Sequence, residues 1–497
     1  MTVRAVLIRT VRPAWIAATL AGWALLSSAK ALDAQLIPIR TVPVASGDQF
    51  RLVPSTTLGM GGVRYAVDDS LADGWSNPAR GGIRGPALFM ASPTFYGISN
   101  NGGGGRSFPV TGLFGGSSWF GGASLALQQV ENTPTDRGWG WFWEGPQNTL
   151  SERFGRNIFA SGFVGRRFGD GEWTIGVGAS AARLAAMDGV DLLYAGAESI
   201  DQSGDVNDLR VAVERRGDRD RVAAMLVHNR VSMVHDVTYN EWVWDDTLQT
   251  GEWVRREEKN EDRTRTWAGQ LLWDRRLDAP GWHIGAGLSV NRKSHPKIPN
   301  YSIQNIPRDP GDTWAFEAGF GVSRTEGRTT FALDVALQPI WSETWQVADS
   351  TDAAGSEGRL SVGDRSIEND FEFTNLSLRS GIEHAVSWAR FQAGLEILSY
   401  GYTLDQRNNV EDTRREQDED WVEWTPTFGV AASLGSLDLR YGLRFTHGTG
   451  RPGVAGLDGV TAEALQAGDF ILAPGAPLTL VDARVVTHQI AVVIPVR

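Results

Sequence analysis

Read for chemistry, the chain offers little for catalysis and more for binding. Its seven histidines are scattered, and neither a Gly-x-Ser-x-Gly elbow nor a His-Glu-x-x-His pair occurs. With no cysteine present, disulfides, thiolate metal sites and a cysteine nucleophile are excluded, as is a lipidated N-terminal cysteine. The pairs Gly176/Gly178 and Gly285/Gly287 lie inside alternating segments and open no helix, so they are not nucleotide loops. The expectation is no enzyme, no metal and no cofactor. A Ser/His pair assembled across distant strands is the open alternative.

Four groups of residues suit binding. The first is the glycine-rich run Thr57 to Asp69, followed by Gly74-Trp75-Ser76-Asn77-Pro78-Ala79-Arg80-Gly81. Glycine permits close backbone approach and positive φ, and Asn-Pro starts a tight turn. This reads as a compact plug whose gate residues are Gly59, Gly61, Gly62, Asn77, Pro78 and Ala79. The second is a set of aromatic clusters in long connections. Trp139, Trp141, Phe142 and Trp143 form one, and Trp242, Trp244 and Trp253 another. They suit capture of an apolar ligand, or anchoring at a membrane interface. The third is a set of charges on one face of alternating segments: Arg210, Glu214, Asp274, Glu317, Asp334, Glu396, Arg440 and Arg444. Pairing with one another or with the plug is the simpler reading; a selective lumen is the other. The fourth is the run Glu411 to Asp420, which reads as a solvated loop. It lacks the Asp/Asn ladder of a calcium loop.

The elements that would position these groups are strands. Trp282, Ile284, Ala286, Leu288 and Val290 alternate with His283, Gly285, Gly287 and Ser289. Trp314, Phe316, Ala318, Phe320 and Val322 alternate with Ala315, Glu317, Gly319 and Gly321. Similar alternation starts at Trp173, Phe331 and Leu437. Successive strand side chains point to opposite faces, so one face is apolar and the other small, polar or charged. Segments of about 10–14 residues exceed the usual 5–6 and match the 9–11 tilted residues that cross a bilayer. Short turns at Gly169-Asp170-Gly171, Gly217-Asp218-Arg219, Asp278-Ala279-Pro280, Glu326-Gly327-Arg328 and Gly435-Ser436 alternate with long connections. The long ones are expected at 131–156, 185–204, 236–262, 294–312, 346–369, 404–420 and 448–483. Short turns at one rim and long loops at the other are the outer-membrane pattern. A large soluble sandwich or propeller is the competing architecture.

Composition and the N-terminus agree with export. The 497 residues hold 58 glycines and 20 tryptophans, against an ordinary glycine usage of about 7 %. The net charge of -12 argues against a nucleic-acid partner. Arg4, Arg9 and Arg12 precede an apolar run from Ala14 to Leu26, closed by Ser27, Ser28 and Ala29. A basic start, a short apolar run and a small-residue exit make a secretory signal. Cleavage fits Ala29-Lys30-Ala31 or Leu32-Asp33-Ala34.

The run Leu58-Gly59-Met60-Gly61-Gly62, then Ala66 to Asp69, then Trp75 to Ala79, resembles the FadL-type family of outer-membrane transporters for long-chain fatty acids and other hydrophobic compounds. The match covers about 30 residues, with Arg80 where glycine is usual. The resemblance implies a 14-stranded barrel with an N-terminal hatch, a hydrophobic ligand path and passive uptake without a cofactor. The chain divides as 1–34 signal peptide, 35–84 plug and 85–497 barrel. The fold expected is an all-β transmembrane antiparallel barrel of about 14 (14–16) strands; the pattern from Gly85 counts 16, with the first two weakest. Expected partners are a hydrophobic small molecule, outer-membrane lipid and lipopolysaccharide, and the barrel-assembly machinery. The terminal Arg497 departs from the aromatic residue common at barrel ends. A structural or secretion-accessory barrel without transport is the alternative function.

Overall fold

The computed structural model describes residues 36–37, 45, 47–81, 87–99, 102–131, 154–188, 198–245, 250–295, 311–348, 360–410, 412–452 and 480–496. The stretch expected to be a signal peptide, 1–34, lies outside them. Seventeen strand segments form one sheet. They are β1 (Ala87–Ala91), β2 (Thr94–Ile98), β3 (Gly104–Gly115), β4 (Trp119–Glu131), β5 (Phe154–Phe168) and β6 (Trp173–Leu184). Then come β7 (Ser199–Arg216), β8 (Asp220–Asp245), β9 (Thr250–Arg276), β10 (Trp282–His295), β11 (Gly311–Glu326) and β12 (Thr329–Val347). The last are β13 (Arg365–Ala385), β14 (Ala389–Asn408), β15 (Thr413–Leu434), β16 (Leu437–Pro452) and β17 (Leu480–Val496).

From β3 onward each strand pairs antiparallel with the next. β17 then pairs with both β1 and β2, and both pair with β3. The sheet therefore closes on itself and leaves no edge along its membrane-height ladder, the condition for a sheet to cross a bilayer. β1 and β2 share one position, because Pro93 has no N–H to continue the ladder. The break is bridged, since Ser92 N–H donates to Pro109 O and Ile490 N–H donates to Pro93 O. The barrel has sixteen positions. This corrects the 14 strands expected from the resemblance: the glycine-rich start of the chain's strand region pairs fully, despite its weak apolar signal.

The outer face carries the large apolar residues. Leu125, Leu226, Leu288, Phe320, Phe331 and Phe428 are all exposed there. Aromatics mark both margins of this band. Trp119, Trp173 and Trp388 lie beside short turns; Trp267, Trp314, Trp341 and Trp424 lie toward the long connections. Inside, much of the wall is small or polar: Asn157, Glu317, Asp334, Asn375 and Thr427 are all buried. Among the described residues no helix is long and apolar enough to cross a membrane.

Two long connections are corrected. Residues 236–262 are mostly strand: β8 and β9 pair from Asp220↔Arg275 to Asp245↔Thr250. Residues 404–420 likewise form the ends of β14 and β15, paired to Asn408↔Thr413. The charged run up to Asp420 thus lies largely on a strand. Above the membrane a strand needs no apolar face, so the period-two signal stops while the hydrogen-bonded ladder continues.

Candidate functional site

The segment Leu58 to Arg80 runs around the inner wall beside the short turns and meets strand after strand. It begins with a single 3-10 turn at Leu58–Met60, ended by Gly61 at φ 71°. Gly62 follows at φ 72°. Two successive left-handed residues turn the chain sharply, which glycine alone does without strain. Asp69 then organises the segment: its Oδ1 accepts N–H bonds from Thr56 (2.9 Å), Leu71 (3.2 Å) and Ala72 (3.1 Å).

The first half is seated in notches left by wall glycines. Leu58 lies against Gly442 of β16, and Gly59 against Gly429 of β15. A Cβ on Gly59 would stand 2.5 Å from the Gly429 nitrogen. Met60 and Gly61 cover Gly381 of β13 and Gly394 of β14, and Gly61 N–H donates to Thr427 Oγ1 at 2.9 Å. Tyr65 covers Gly285 and Gly287 of β10 and Gly319 and Gly321 of β11. Its hydroxyl donates to Glu317 (3.0 Å), which also accepts two bonds from Arg64 (2.7 and 2.8 Å) and one from Gln338 (2.7 Å). Asp334 accepts the backbone N–H groups of Arg64 (2.6 Å) and Tyr65 (3.2 Å). Burial works against the Arg64 charge, but Glu317 outweighs it and raises the guanidinium's pKa.

The second half rests on charge. Arg80 pairs with Asp68 at 2.9 Å and lies 3.8–3.9 Å from Asp73, Glu214 and Asp274. Arg221 of β8 joins Asp68 and Asp274. Arg210 of β7 donates to the carbonyls of Trp75 (3.1 Å) and Ser76 (2.8 Å). Trp75 meets Phe163 of β5 edge-on at 4.9 Å, and Pro78 covers Gly176 of β6. Asn77 is buried and accepts the Ala79 N–H at 3.1 Å, forming the expected Asn-Pro turn. Ala79 packs with Ala212, Met225, Val227 and Ala268. Burial pushes the Asp73 carboxyl up to about 7, Arg80 opposing and Asp69 and Asp68 adding to the rise.

Upstream residues cover two apolar patches of the inner wall nearer the long connections. Ile37 is fully buried against Ala315, Ile340, Phe371, Phe373, Tyr402 and Leu404, on β11 to β14, with Trp421 of β15 alongside. Phe50 and Leu52 pack against Ala126, Phe159, Leu184, Val206 and Met233, on β4 to β8. Between them Asp48 pairs with Arg51 (3.3 Å) and Arg444 (3.1 Å). Burial opposes the Asp48 charge, but the two arginines hold its carboxyl well below the usual range.

The six glycine-and-turn residues singled out from the sequence thus share one inner ring. Gly62 alone faces open space. The eight charges expected to face inward do so. Trp139, Trp141, Phe142 and Trp143 lie outside the described residues. Trp242 and Trp253 stand directly opposite each other near the β8–β9 tip. The sequence reading missed Tyr65, Arg64 and both apolar patches. Their signal was present: large apolar residues such as Phe371 and Phe373 replace small ones on the inward phase of a strand.

No family model matches the chain, and no curated protein matches it. Several solved structures do resemble it at low identity. The toluene transporter TbuX of Ralstonia pickettii is 12 % identical over 92 % of this chain and 100 % of its own, with a TM-score of 0.37. The toluene transporter TodX of Pseudomonas putida is 9 % identical over 91 % and 99 %, with a TM-score of 0.38. The ferric-catecholate import receptor Fiu of E. coli K12 is 8 % identical over 82 % of each chain, with a TM-score of 0.37. The barrel assignment rests on the closed strand ladder, to which these scores add no weight.

Proposed function

We propose that the protein is an outer-membrane passive transporter for hydrophobic small molecules, long-chain fatty acids among them. The observation that carries this reading is the pair of apolar patches on the inner wall that Ile37 and Phe50 with Leu52 cover. A wall that only held water would gain nothing from Phe371, Phe373 and Tyr402 facing inward, since buried apolar pockets with few polar groups are what small hydrophobic ligands select. In this reading Ile37, Phe50 and Leu52 occupy ligand positions when no cargo is bound. Residues 58–81, with Gly59, Gly61, Gly62, Asn77, Pro78 and Ala79, form the gate. The tryptophan-rich connection at 131–156 supplies capture, and no nucleotide or ion is consumed.

The test is saturable binding by the purified barrel of a long-chain fatty acid and, separately, of a monoaromatic hydrocarbon, read by tryptophan fluorescence. Phe371→Asp with Phe373→Asp should weaken binding about tenfold or more, because the ligand loses apolar wall. Failure of both ligand classes to bind or be taken up would sink the reading. The alternative, a structural or secretion-accessory barrel, draws on the contact that residues 58–80 make around the wall. Because the chain has no cysteines, a cross-link between Ala79→Cys and Ala212→Cys separates the two. It should abolish uptake by a transporter and leave a purely structural barrel unaffected.

A further inference from the structure

The outer wall above the apolar band is divided by charge. On the side of the long connections, outward arginines stand just above the apolar band on six strands from β3 to β10: Arg106, Arg156, Arg183, Arg230, Arg265 and Arg292. On β11, β12, β13 and β15 outward residues at this level are acidic, among them Asp312, Glu343, Glu372 and Asp420, while β14 places Thr403 there; Arg407 and Arg414 face each other farther out, where Arg414 pairs with Asp405. Arg292 and Asp312 pair at 2.8 Å where the arcs meet.

Within the basic arc one place is electrostatically incomplete. Arg230 of β8 and Arg265 of β9 are directly opposite in register and both exposed. Like charges facing across a ladder destabilise it. Their flanking partners in the same row are neutral, Asn207 on β7 and Ser294 on β10. One rung toward the membrane, His228 and Trp267 are also opposite each other, stacked at 4.2 Å. Trp267 is 61 % exposed, and Leu226 and Leu271 continue the apolar surface below it. Three arginines at the short-turn rim are arranged differently. Arg215 pairs with Glu172 at 2.9 Å, Arg324 with Glu326 at 2.8 Å and Arg275 with Asp220 at 3.5 Å.

We propose that the Arg230–Arg265 pair, above the His228–Trp267 stack, is a docking site for a phosphate-bearing lipid of the outer leaflet. A phosphate between two guanidiniums cancels their repulsion and accepts paired hydrogen bonds from each. The headgroup ring rests on Trp267, and the acyl chains follow Leu226 and Leu271 into the band. The neighbouring arginines extend the attraction along the arc, while the acidic arc disfavours the same lipid. The site rests on the outer-membrane placement and is independent of the cargo.

The experiment uses the full-length barrel extracted from outer membranes and lipid A as probe, with retained lipid measured by native mass spectrometry. Arg230→Gln with Arg265→Gln should reduce retained lipid A about thirtyfold. Arg324→Gln at the opposite rim should leave it unchanged. Lipid A stripped of phosphate should bind the wild-type protein no better than it binds the double variant. Equal retention by wild type and double variant would overturn the proposal. So would displacement by inorganic phosphate at concentrations matching lipid A, which would mark a free-anion site. Hydrophobic uptake should be the same in wild type and double variant, so loss of the cargo reading would leave this one standing.

Discussion

Between Leu58 and Ala66 the lumenal segment is seated in glycine notches of the barrel, with the Arg64–Glu317 ion pair beside them; between Asp68 and Arg80 it meets a network of several carboxylates and arginines. The first stretch fits because Gly285, Gly319, Gly381, Gly394, Gly429 and Gly442 leave no side chain in its path. The second fits because Arg80 and Arg221 thread between Asp68, Asp274 and Glu214. Steric fit is indifferent to pH, whereas a buried carboxylate–arginine network is not. The difference teaches where such a ring can loosen: at the 68–80 half, with 58–66 as its hinge.

The most damaging test of this comparison is Gly394→Leu. Its Cβ would land on the backbone of Met60 and Gly61. Docking of residues 58–66 should be lost, with tryptic cleavage after Arg64 about tenfold faster or more. The barrel should still resist SDS until heated. Next is Glu317→Ala, which strips the acceptor from Tyr65 and Gln338 and the partner from Arg64. Leaving buried donors unsatisfied costs about 1–3 kcal/mol, to be read as a lower midpoint of heat-induced mobility change.

Asp73→Asn is subtler and depends on pH. Docking raises the Asp73 pKa from 3.8 to about 7, so the docked state binds the proton more tightly than the released state. That contribution is present at low pH and is lost as pH rises toward and past 7. The neutral amide would remove the penalty, so the variant should dock as wild type does at pH 3 and increasingly better as pH rises, by about tenfold at pH 5 and about a hundredfold or more at pH 8. Protease protection of residues 68–80 across that range measures it. Smallest and most discriminating is Arg80→Gly, which restores the glycine usual in the family the segment resembles. Arg80 opposes the rise at Asp73, so its removal should move the midpoint of pH-dependent protection above 7. An unchanged midpoint would assign the pH response elsewhere. Neither variant should alter protection of residues 58–66.

Much of this architecture was legible in the sequence, because a membrane-crossing strand has to alternate. Trp314 to Val322 and Leu437 to Phe445 read as two-faced strands and are so. The run Thr57 to Gly81 reads in the sequence as a compact plug, whereas it runs along the inner wall from β16 to β6; only its local turns at Gly61, Gly62 and Asn77-Pro78 were legible, because local chemistry imposes them. Where alternation is no longer required, the reading failed. The ends of β8, β9, β14 and β15 pair outside the apolar band, and their charged residues look like loop. The alternation itself counted sixteen and the resemblance fourteen; the choice was decided only by closure, where β17 pairs with both β1 and β2 and these share one position.

What the sequence by itself determined is local: which face of each strand is apolar, where the chain turns, and that a glycine-rich segment precedes the strands. What only the tertiary structure decided is which surfaces meet. Nothing in the order of residues says that Gly429 leaves room for Gly59, that Tyr65 spans four wall glycines, or that Arg230 faces Arg265. Those relations depend on the register of a closed ladder and on the path of a segment inside it. The register is set by all the strands together, since shifting one strand by a single residue would turn its inner face outward.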